Sequence, residues 1–425
     1  MEILRGGKAR RRGLRMAAVL LAGAMTATVA SVAAPDASAA DFYTPPATIA
    51  DKPGAILKTQ SIPLLLQIPG VKNQWPGTAK KVMYTSRDAH NKSVGVTGTV
   101  IEPTAPWTGK GPRPTVVVGP GTIGQGDQCA PSKMMSFPAS IDITKPSIGV
   151  NYTAPEMYIF LLNGVRVFVT DYIGMGTPGI HTYVNRSETG HAMLDGARAA
   201  INASGAPKNS PVGFVGYSQG GGAAASAAEL AQTYAPELKV KATYAGAPPA
   251  DLRKVLAAVD GTTISGVIGY AINGMTARYP ALREVVDKEA NASGKARLKQ
   301  VSTQCIGDTI LTNAFQPTNS WTISGRRLGE IADKYPDAVK VLEENRIGQL
   351  KPNAPVYLQG GLHDDVIPYG QVKDLYRNWK ALGANVTFHT DATPAILTKV
   401  IVNHVVPMLT TLLPGTNFVL DHLRR

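Results

Sequence analysis

Cysteine is scarce, with two in 425 residues. That excludes a zinc site built from cysteines alone and any disulfide-dense scaffold. Charged residues are also few, at 17% against 44% hydrophobic. A disordered or collagen-like chain is thereby excluded, and a large core is within reach. The mean hydropathy of −0.04 argues against a multi-pass membrane protein. Acids are outnumbered, 30 Asp+Glu against 43 Lys+Arg, for a net charge of +13. Such an excess suggests nucleic acid or an anionic membrane as partner. With aromatics at 6%, however, no basic stripe interleaved with aromatic side chains can be found, so nucleic acid drops out.

The densest positive cluster has another use. Arg5, Lys8, Arg10, Arg11, Arg12 and Arg15 precede an Ala-rich apolar run, Met16 to Ala34, and then Ala37-Ser38-Ala39. A basic start, an apolar stretch and a small-x-small site together form the pattern of a secretory signal peptide. A transmembrane anchor is the competing reading, and the interior Thr and Ser and the cleavage-like site count against it. No Cys follows before Cys129, so a lipoprotein start is missing. Residues 1–39 are thus expected to be a signal peptide. Without them the charge falls to +9, since they carry six cationic and two acidic residues.

The length exceeds one average domain and falls short of three. No repeat or low-complexity segment appears after the Ala-rich run. A Pro-rich lead-in (45–75) precedes an expected hairpin, Lys81–Thr85 with Val94–Ile101. Short β-branched runs follow at Thr115–Val118, Arg166–Thr170, Pro211–Val215, Val240–Tyr244, Pro355–Leu358 and Asn385–His389. Helical patterns lie between or after them at Ala192–Ile201, Gln219–Tyr234, Tyr369–Leu382 and Val405–Leu413. This alternation predicts an α/β fold, a mostly parallel central sheet with helices on both faces. It breaks between Ala250 and Pro352, where about 100 helix-patterned residues read as an inserted subdomain.

Chemistry begins at Gly216-Tyr217-Ser218-Gln219-Gly220. Gly-x-Ser-x-Gly alone is a weak signal, and its setting strengthens it. The strand Val212–Val215 enters the pattern and a helix of small residues leaves it, the arrangement of a nucleophile elbow. A serine hydroxyl is a poor nucleophile until a base takes its proton and an acid orients that base. After such an elbow the acid comes next, then the histidine. Asp364 and Asp365, beyond the strand Val356–Leu358, compete for the acid, and the spacing from Gly361 and to Pro368 favours Asp364. Of the histidines after it, His389 lies in a strand pattern and His422 in a polar tail, which leaves His404, at the opening of the last helix. The oxyanion of a tetrahedral intermediate needs N–H donors. Gln219 supplies one, and the loop Gly119-Pro120-Gly121-Thr122-Ile123-Gly124 the other, with Thr122 the choice and Ile123 beside it. That loop also spells G-x-G-x-x-G, a dinucleotide fingerprint, but Asp127-Gln128-Cys129-Ala130-Pro131 interrupts the helix such a site requires.

The chain resembles the secretory lipase family of α/β-hydrolases over most of its length. The likeness rests on Thr170-Asp171-Tyr172-Ile173-Gly174-Met175-Gly176-Thr177-Pro178-Gly179, Cys129-Ala130-Pro131-Ser132, Gly216–Gly220 and Asp364–Pro368. It implies Ser218 as nucleophile, Asp364 as acid, His404 as base, a helical cap over the pocket, and a Cys129–Cys305 disulfide. Two cysteines in an exported chain, an even set in an oxidising compartment, suit the same bridge. The stretch Thr390–Asn403 is long for the family, and the oxyanion loop is more Gly-rich. The expectation is a secreted, lipase-like carboxylic ester hydrolase with its core at 40–252 and 351–425 and its cap at 253–350. It would be a monomer acting on an ester or lipid substrate at a lipid–water interface, with no membrane span and no metal or organic cofactor. The apolar stretches Ile264–Ile272 and Ile310–Phe315 suit an acyl tunnel, or equally the packing of cap on core. A small-ester esterase or acyltransferase, a serine peptidase of the same fold, and a non-catalytic cell-wall or lipid-binding module are the alternatives.

Overall fold

A computed structural model describes residues 42–425 except 66, 69, 70, 72, 138 and 143–146. The expected signal peptide lies outside the described residues. Nine strands form one sheet: β1 (Ile56–Ile62), β2 (Gly77–Arg87), β3 (Ser93–Pro103), β4 (Thr115–Gly119), β7 (Arg166–Thr170), β8 (Pro211–Tyr217), β9 (Lys239–Gly246), β10 (Val356–Gly361) and β11 (Val386–Asp391). A separate hairpin pairs β5 (Ala139–Asp142) with β6 (Ser147–Val150). The spatial order is β1-β2-β3-β7-β4-β8-β9-β10-β11. Strands β1, β2, β3 and β7 are antiparallel neighbours, and every pairing from β7 to β11 is parallel.

The strand runs are apolar at successive positions because both faces are covered. Val117, Phe168, Val212 and Phe214 pack with α2 (Arg186–Ala203) and α3 (Gln219–Tyr234). Their neighbours Val116, Val118, Val167, Val169 and Val215 pack on the other face with α1 (Ala154–Leu162) and α12 (Val402–Arg424). Seven helices separate β9 from β10: α4 (Leu252–Val259), α5 (Val267–Arg278), α6 (Pro280–Glu289), α7 (Ala292–Val301), α8 (Ile306–Asn313), α9 (Leu328–Ala332) and α10 (Pro336–Glu344). The last crossover helix is α11 (Tyr369–Ala381). Tyr43–Arg425 forms one compact unit. Among the described residues no helix is long and apolar enough to cross a membrane.

Several elements differ from the sequence expectation, the β5–β6 hairpin among them. The Pro-rich lead-in contains strand β1, an edge whose pairing to β2 carries it. Helix α1 had no helical signature because Met157–Leu162 is almost continuously apolar, a pattern without period. The final helix runs on to Arg424, so His422 lies in a helix rather than a polar tail.

Order along the sheet places the site. β4 sends the chain to β7 on one side, and the next strand, β8, lies on its other side. Such a switch point opens a crevice at the carboxyl ends of the two strands. The Gly119–Gly124 loop leaves β4 there, and Ser218 directly follows β8.

Cys129 and Cys305 are joined, with Cα atoms 5.5 Å apart and a sequence separation of 176. Beside the bridge, Gln125 N–H donates to Gln304 C=O at 2.9 Å and Ile306 N–H to Ile123 C=O at 2.7 Å. The loop after β4 is thereby fastened to the start of α8. Replacing both cysteines with serine is expected to lower unfolding stability by up to about 5 kcal/mol, the chain-entropy value for so long a loop. A urea midpoint unchanged from wild type would contradict this.

Candidate active site

Glycine decides the turn at the end of β8. A Cβ on Gly216 would lie 2.3 Å from the Gly220 carbonyl oxygen, and one on Gly220 would lie 1.9 Å from that of Gly119. Only bare backbone fits where β8, α3 and the loop after β4 converge. Ser218, between them, has φ 59° and ψ −122°, a conformation rare for a residue with a side chain. The strand stops and the helix starts within one residue, and Ser218 faces the cavity rather than the core.

Asp364 and His404 meet at that cavity. Asp364 Oδ2 lies 2.8 Å from His404 Nδ1, and the Asp364 side chain is fully buried. Its other oxygen accepts the N–H groups of Val366 at 2.9 Å and Ile367 at 2.8 Å. With Nδ1–H donated to the carboxylate, Nε2 is left as the proton acceptor. Tyr217 OH donates to the His404 carbonyl at 2.8 Å, tying the start of α12 to the elbow. Asp365 is placed elsewhere: its Oδ2 accepts from Val400 N–H at 3.2 Å, and burial pushes its carboxyl pKa up. His389 lies in β11 and His422 near the end of α12, and neither lines the cavity, whereas His404 does.

Gln219 is the first residue of α3, so its N–H has no acceptor within the helix. Thr122 also lines the cavity, clamped by two tyrosines: its Oγ1 lies 2.7 Å from Tyr183 OH, and its carbonyl accepts from Tyr152 OH at 3.0 Å. Ile123 is instead buried with Cys129, Met134 and Cys305. The glycine triad of that loop leads into two short 3-10 turns at Asp127–Cys129 and Pro131–Lys133, not into the helix that a dinucleotide fingerprint requires.

Several supporting residues carried no sequence signal of their own. His181 is fully buried, and burial lowers its pKa to about 4, so its imidazole is neutral. Its Nδ1–H donates to the Ile173 carbonyl at 3.1 Å, and its Nε2 accepts from the Gln219 side-chain amide at 2.8 Å. Gln125 bridges the carbonyls of His181 and Tyr270 at 2.8 and 2.9 Å, joining this network to α5. The Thr170–Gly179 motif has a structural reason. Asp171 is buried and accepts from Ser132 N–H at 2.8 Å, Ser132 OH at 2.5 Å and Thr97 OH at 2.6 Å. Two of the motifs quoted above are therefore halves of one brace under the site.

The cavity measures about 500 Å³, within the usual range for ligand sites. Besides Ser218, Gln219, Thr122 and His404 its walls are almost wholly apolar, without a Lys, Arg, Asp or Glu. Six of the seven helices between β9 and β10 contribute, including Leu256, Ile268, Ile272, Val286, Ile331 and Leu342. Ile264, Ile268, Ile272 and Ile310 line it as the sequence suggested, whereas Phe315 is 54% exposed. Among the described residues no three His, Cys, Asp or Glu side chains gather as a metal site.

The secretory lipase profile matches residues 142–412. A probable inactive lipase of Mycobacterium tuberculosis is 28% identical over 82% of this chain and 76% of its own. The secreted triacylglycerol lipase LIP3 of Malassezia restricta is 29% identical over 82% of this chain and 72% of its own. In three dimensions the chain is similar to Candida antarctica lipase A in its closed state, with TM-score 0.76 and 22% identity over 90% of this chain and 85% of that one. That likeness establishes the α/β-hydrolase fold. With the family profile spanning well over half its length, the chain belongs to the secretory lipase family.

Proposed function

We propose that this chain is a secreted carboxylic ester hydrolase acting on esters with long apolar acyl chains, as a triacylglycerol lipase does. The single observation that carries the reading is the hydrogen bond from His404 to buried Asp364, with His404 and Ser218 both lining one uncharged apolar cavity. One relative is named a probable inactive lipase, so family membership alone does not establish turnover.

In this mechanism Ser218 Oγ attacks the ester carbonyl as His404 Nε2 takes its proton, and Asp364 stabilises the imidazolium. The N–H groups of Gln219 and Thr122 receive the oxyanion, each donor being worth about 10²–10³ in rate. Protonation of the leaving alcohol by His404 leaves an acyl-Ser218 ester, which water then hydrolyses. The helices of residues 253–350 act as the cap that builds the acyl-binding walls. A charged substrate would lose its solvation in this cavity without gaining a partner, whereas an alkyl chain gains by leaving water.

Two measurements test the reading. A fluorophosphonate probe is expected to label the folded wild type and not Ser218→Ala. Across nitrophenyl acetate to octanoate, kcat/KM is expected to rise at least about 10²-fold, since each buried methylene contributes about 0.8 kcal/mol. No labelling of the folded protein defeats the hydrolase proposal, and a preference for acetate defeats the long-chain assignment.

A further inference from the structure

Few polar side chains line the acyl cavity, and their hydrogens can be traced one by one. Tyr152 OH donates to the Thr122 carbonyl at 3.0 Å, Tyr217 OH to the His404 carbonyl at 2.8 Å, and Thr276 OH to the Asn273 carbonyl at 3.1 Å. The Gln219 amide gives its hydrogens to His181 Nε2 at 2.8 Å and to the Tyr183 carbonyl at 3.5 Å. Ser218 and His404 hold the proton that moves in the reaction. What remains, among the described residues of the wall, is the contact of Thr122 Oγ1 with Tyr183 OH at 2.7 Å, two protons on two oxygens.

The chemistry of the two hydroxyls sets the direction of that bond. Tyr183 is 7% exposed, and burial pushes its pKa up to about 12, so the phenol keeps its proton. Among the described residues its hydroxyl has no other partner. Were Thr122 the donor, the phenol proton would lie buried without an acceptor, which costs folding stability. A phenol is also a stronger acid than an aliphatic alcohol, and so the better donor. Tyr183 OH therefore donates and Thr122 Oγ1 accepts. The Thr122 proton is left over, in a cavity whose walls offer it no acceptor, until the reaction makes one.

Thr122 stands where that acceptor forms. Gly119 pairs with Gly216, and a Cβ on Gly220 would lie 1.9 Å from the Gly119 carbonyl oxygen, so the loop that carries Thr122 rests on the elbow that carries Ser218. Only Cα and Cβ separate the nitrogen and hydroxyl of one threonine, so both of its hydrogens can converge on one oxygen. We propose that the Thr122 hydroxyl is a third oxyanion donor, beside the N–H groups of Gln219 and Thr122. Tyr183 is the positioning residue that turns it toward the reacting carbonyl. The inference rests on Ser218 and His404 acting as nucleophile and base. As Ser218 Oγ bonds to the acyl carbon, the carbonyl π pair moves onto its oxygen, which accepts the three hydrogen bonds and takes no proton. The pair returns to the carbon as the bond to the leaving alcohol breaks, and the hydroxyl is released unchanged.

The test is steady-state hydrolysis of nitrophenyl octanoate by the whole protein. Thr122→Val keeps the N–H and the shape of the side chain and loses only the hydroxyl. It is expected to lower kcat and kcat/KM together by about 10²-fold, as loss of a contact made only in the transition state does. Thr122→Ser, which restores the hydroxyl, should return both to within about fivefold of wild type. Tyr183→Phe keeps the ring contacts with His181 and Tyr270. It should lower kcat about fivefold in the wild-type background but less than about twofold in Thr122→Val, because it acts through Thr122. An alkyl boronic acid gives a second readout, since its tetrahedral adduct on Ser218 sets an oxygen where the oxyanion forms. Its inhibition constant should rise in Thr122→Val and in Tyr183→Phe, while that of octanol, which forms no adduct, stays within about twofold. If Thr122→Val does not fold, Tyr183→Phe with these two inhibitors decides, and an unchanged boronic acid constant overturns the proposal. So does a kcat in folded Thr122→Val within about threefold of wild type. An equal loss in Thr122→Ser also overturns it, by tracing the effect to the shape of the loop, and an equal cost of Tyr183→Phe in both backgrounds marks the tyrosine as merely structural. A wild type that neither labels with fluorophosphonate nor releases nitrophenol defeats the hydrolase reading instead.

Discussion

Ser218→Ala is expected to lower ester turnover by about 10⁶-fold, the scale seen when a triad serine is removed from a working enzyme. The size follows from the chemistry: without Oγ no acyl-enzyme forms, and His404 and the oxyanion donors can assist only a direct attack by water. The fold should be untouched. The Ser218 backbone is held by its N–H to the Gly246 carbonyl and by its own carbonyl, which accepts from Gly222 N–H, both at 2.9 Å. Neither bond involves the hydroxyl. Alanine meets the same steric cost at φ 59° as serine does, so the thermal midpoint should move by no more than about 1 °C. The measurement is steady-state hydrolysis of a nitrophenyl ester alongside a thermal melt. Turnover within tenfold of wild type, with the melt unchanged, would place the nucleophile elsewhere.

Chain order and strand chemistry make the core of this architecture readable in the sequence alone. Runs such as Thr115–Val118 and Arg166–Thr170 are β-branched, short and closed by Gly or Asp, and they form β4 and β7. The elbow was legible because its glycines are steric necessities: a side chain at Gly216 or Gly220 has nowhere to go. Asp364 and His404 were legible as an ordered pair following that serine. What escaped reading was decided by tertiary contact. Pro414-Gly415 reads as a helix stop, yet α12 continues through it to Arg424. Gly415 lets the helix lie directly on the Tyr244 ring, which a Cβ would meet at 2.7 Å, and packing against β8 and β9 outweighs the missing proline N–H. His181 and Tyr152 were equally opaque. Each acts through a neighbour distant in sequence, Gln219 and Thr122, and a lone histidine or tyrosine carries no periodic or spacing signal.

Asp364→Asn is expected to cost about 10⁴-fold in kcat, the penalty of a triad histidine held in the wrong tautomer. The carboxylate has an acceptor duty at both ends: Oδ1 takes the Val366 and Ile367 N–H groups, and Oδ2 takes His404 Nδ1–H. An asparagine has one oxygen and one NH2 to fill both places. If its oxygen keeps the two backbone N–H groups, its NH2 faces Nδ1, and the imidazole must move its proton to Nε2. Nε2 is the atom that has to accept from Ser218, so the base is silenced with its geometry intact. If the amide turns over, two backbone donors face an NH2 in a buried site, and stability falls instead. Asp365→Asn separates the neighbours. Asp365 accepts Val400 N–H through Oδ2 and has no histidine to orient, and an amide oxygen accepts that N–H equally well. Its kcat should stay within about threefold of wild type, a change too small for a triad member. Measuring kcat and the thermal midpoint for both variants decides the assignment. A large loss in Asp365→Asn with Asp364→Asn near wild type would move the orienting acid by one residue and leave the bond at His404 without a catalytic role.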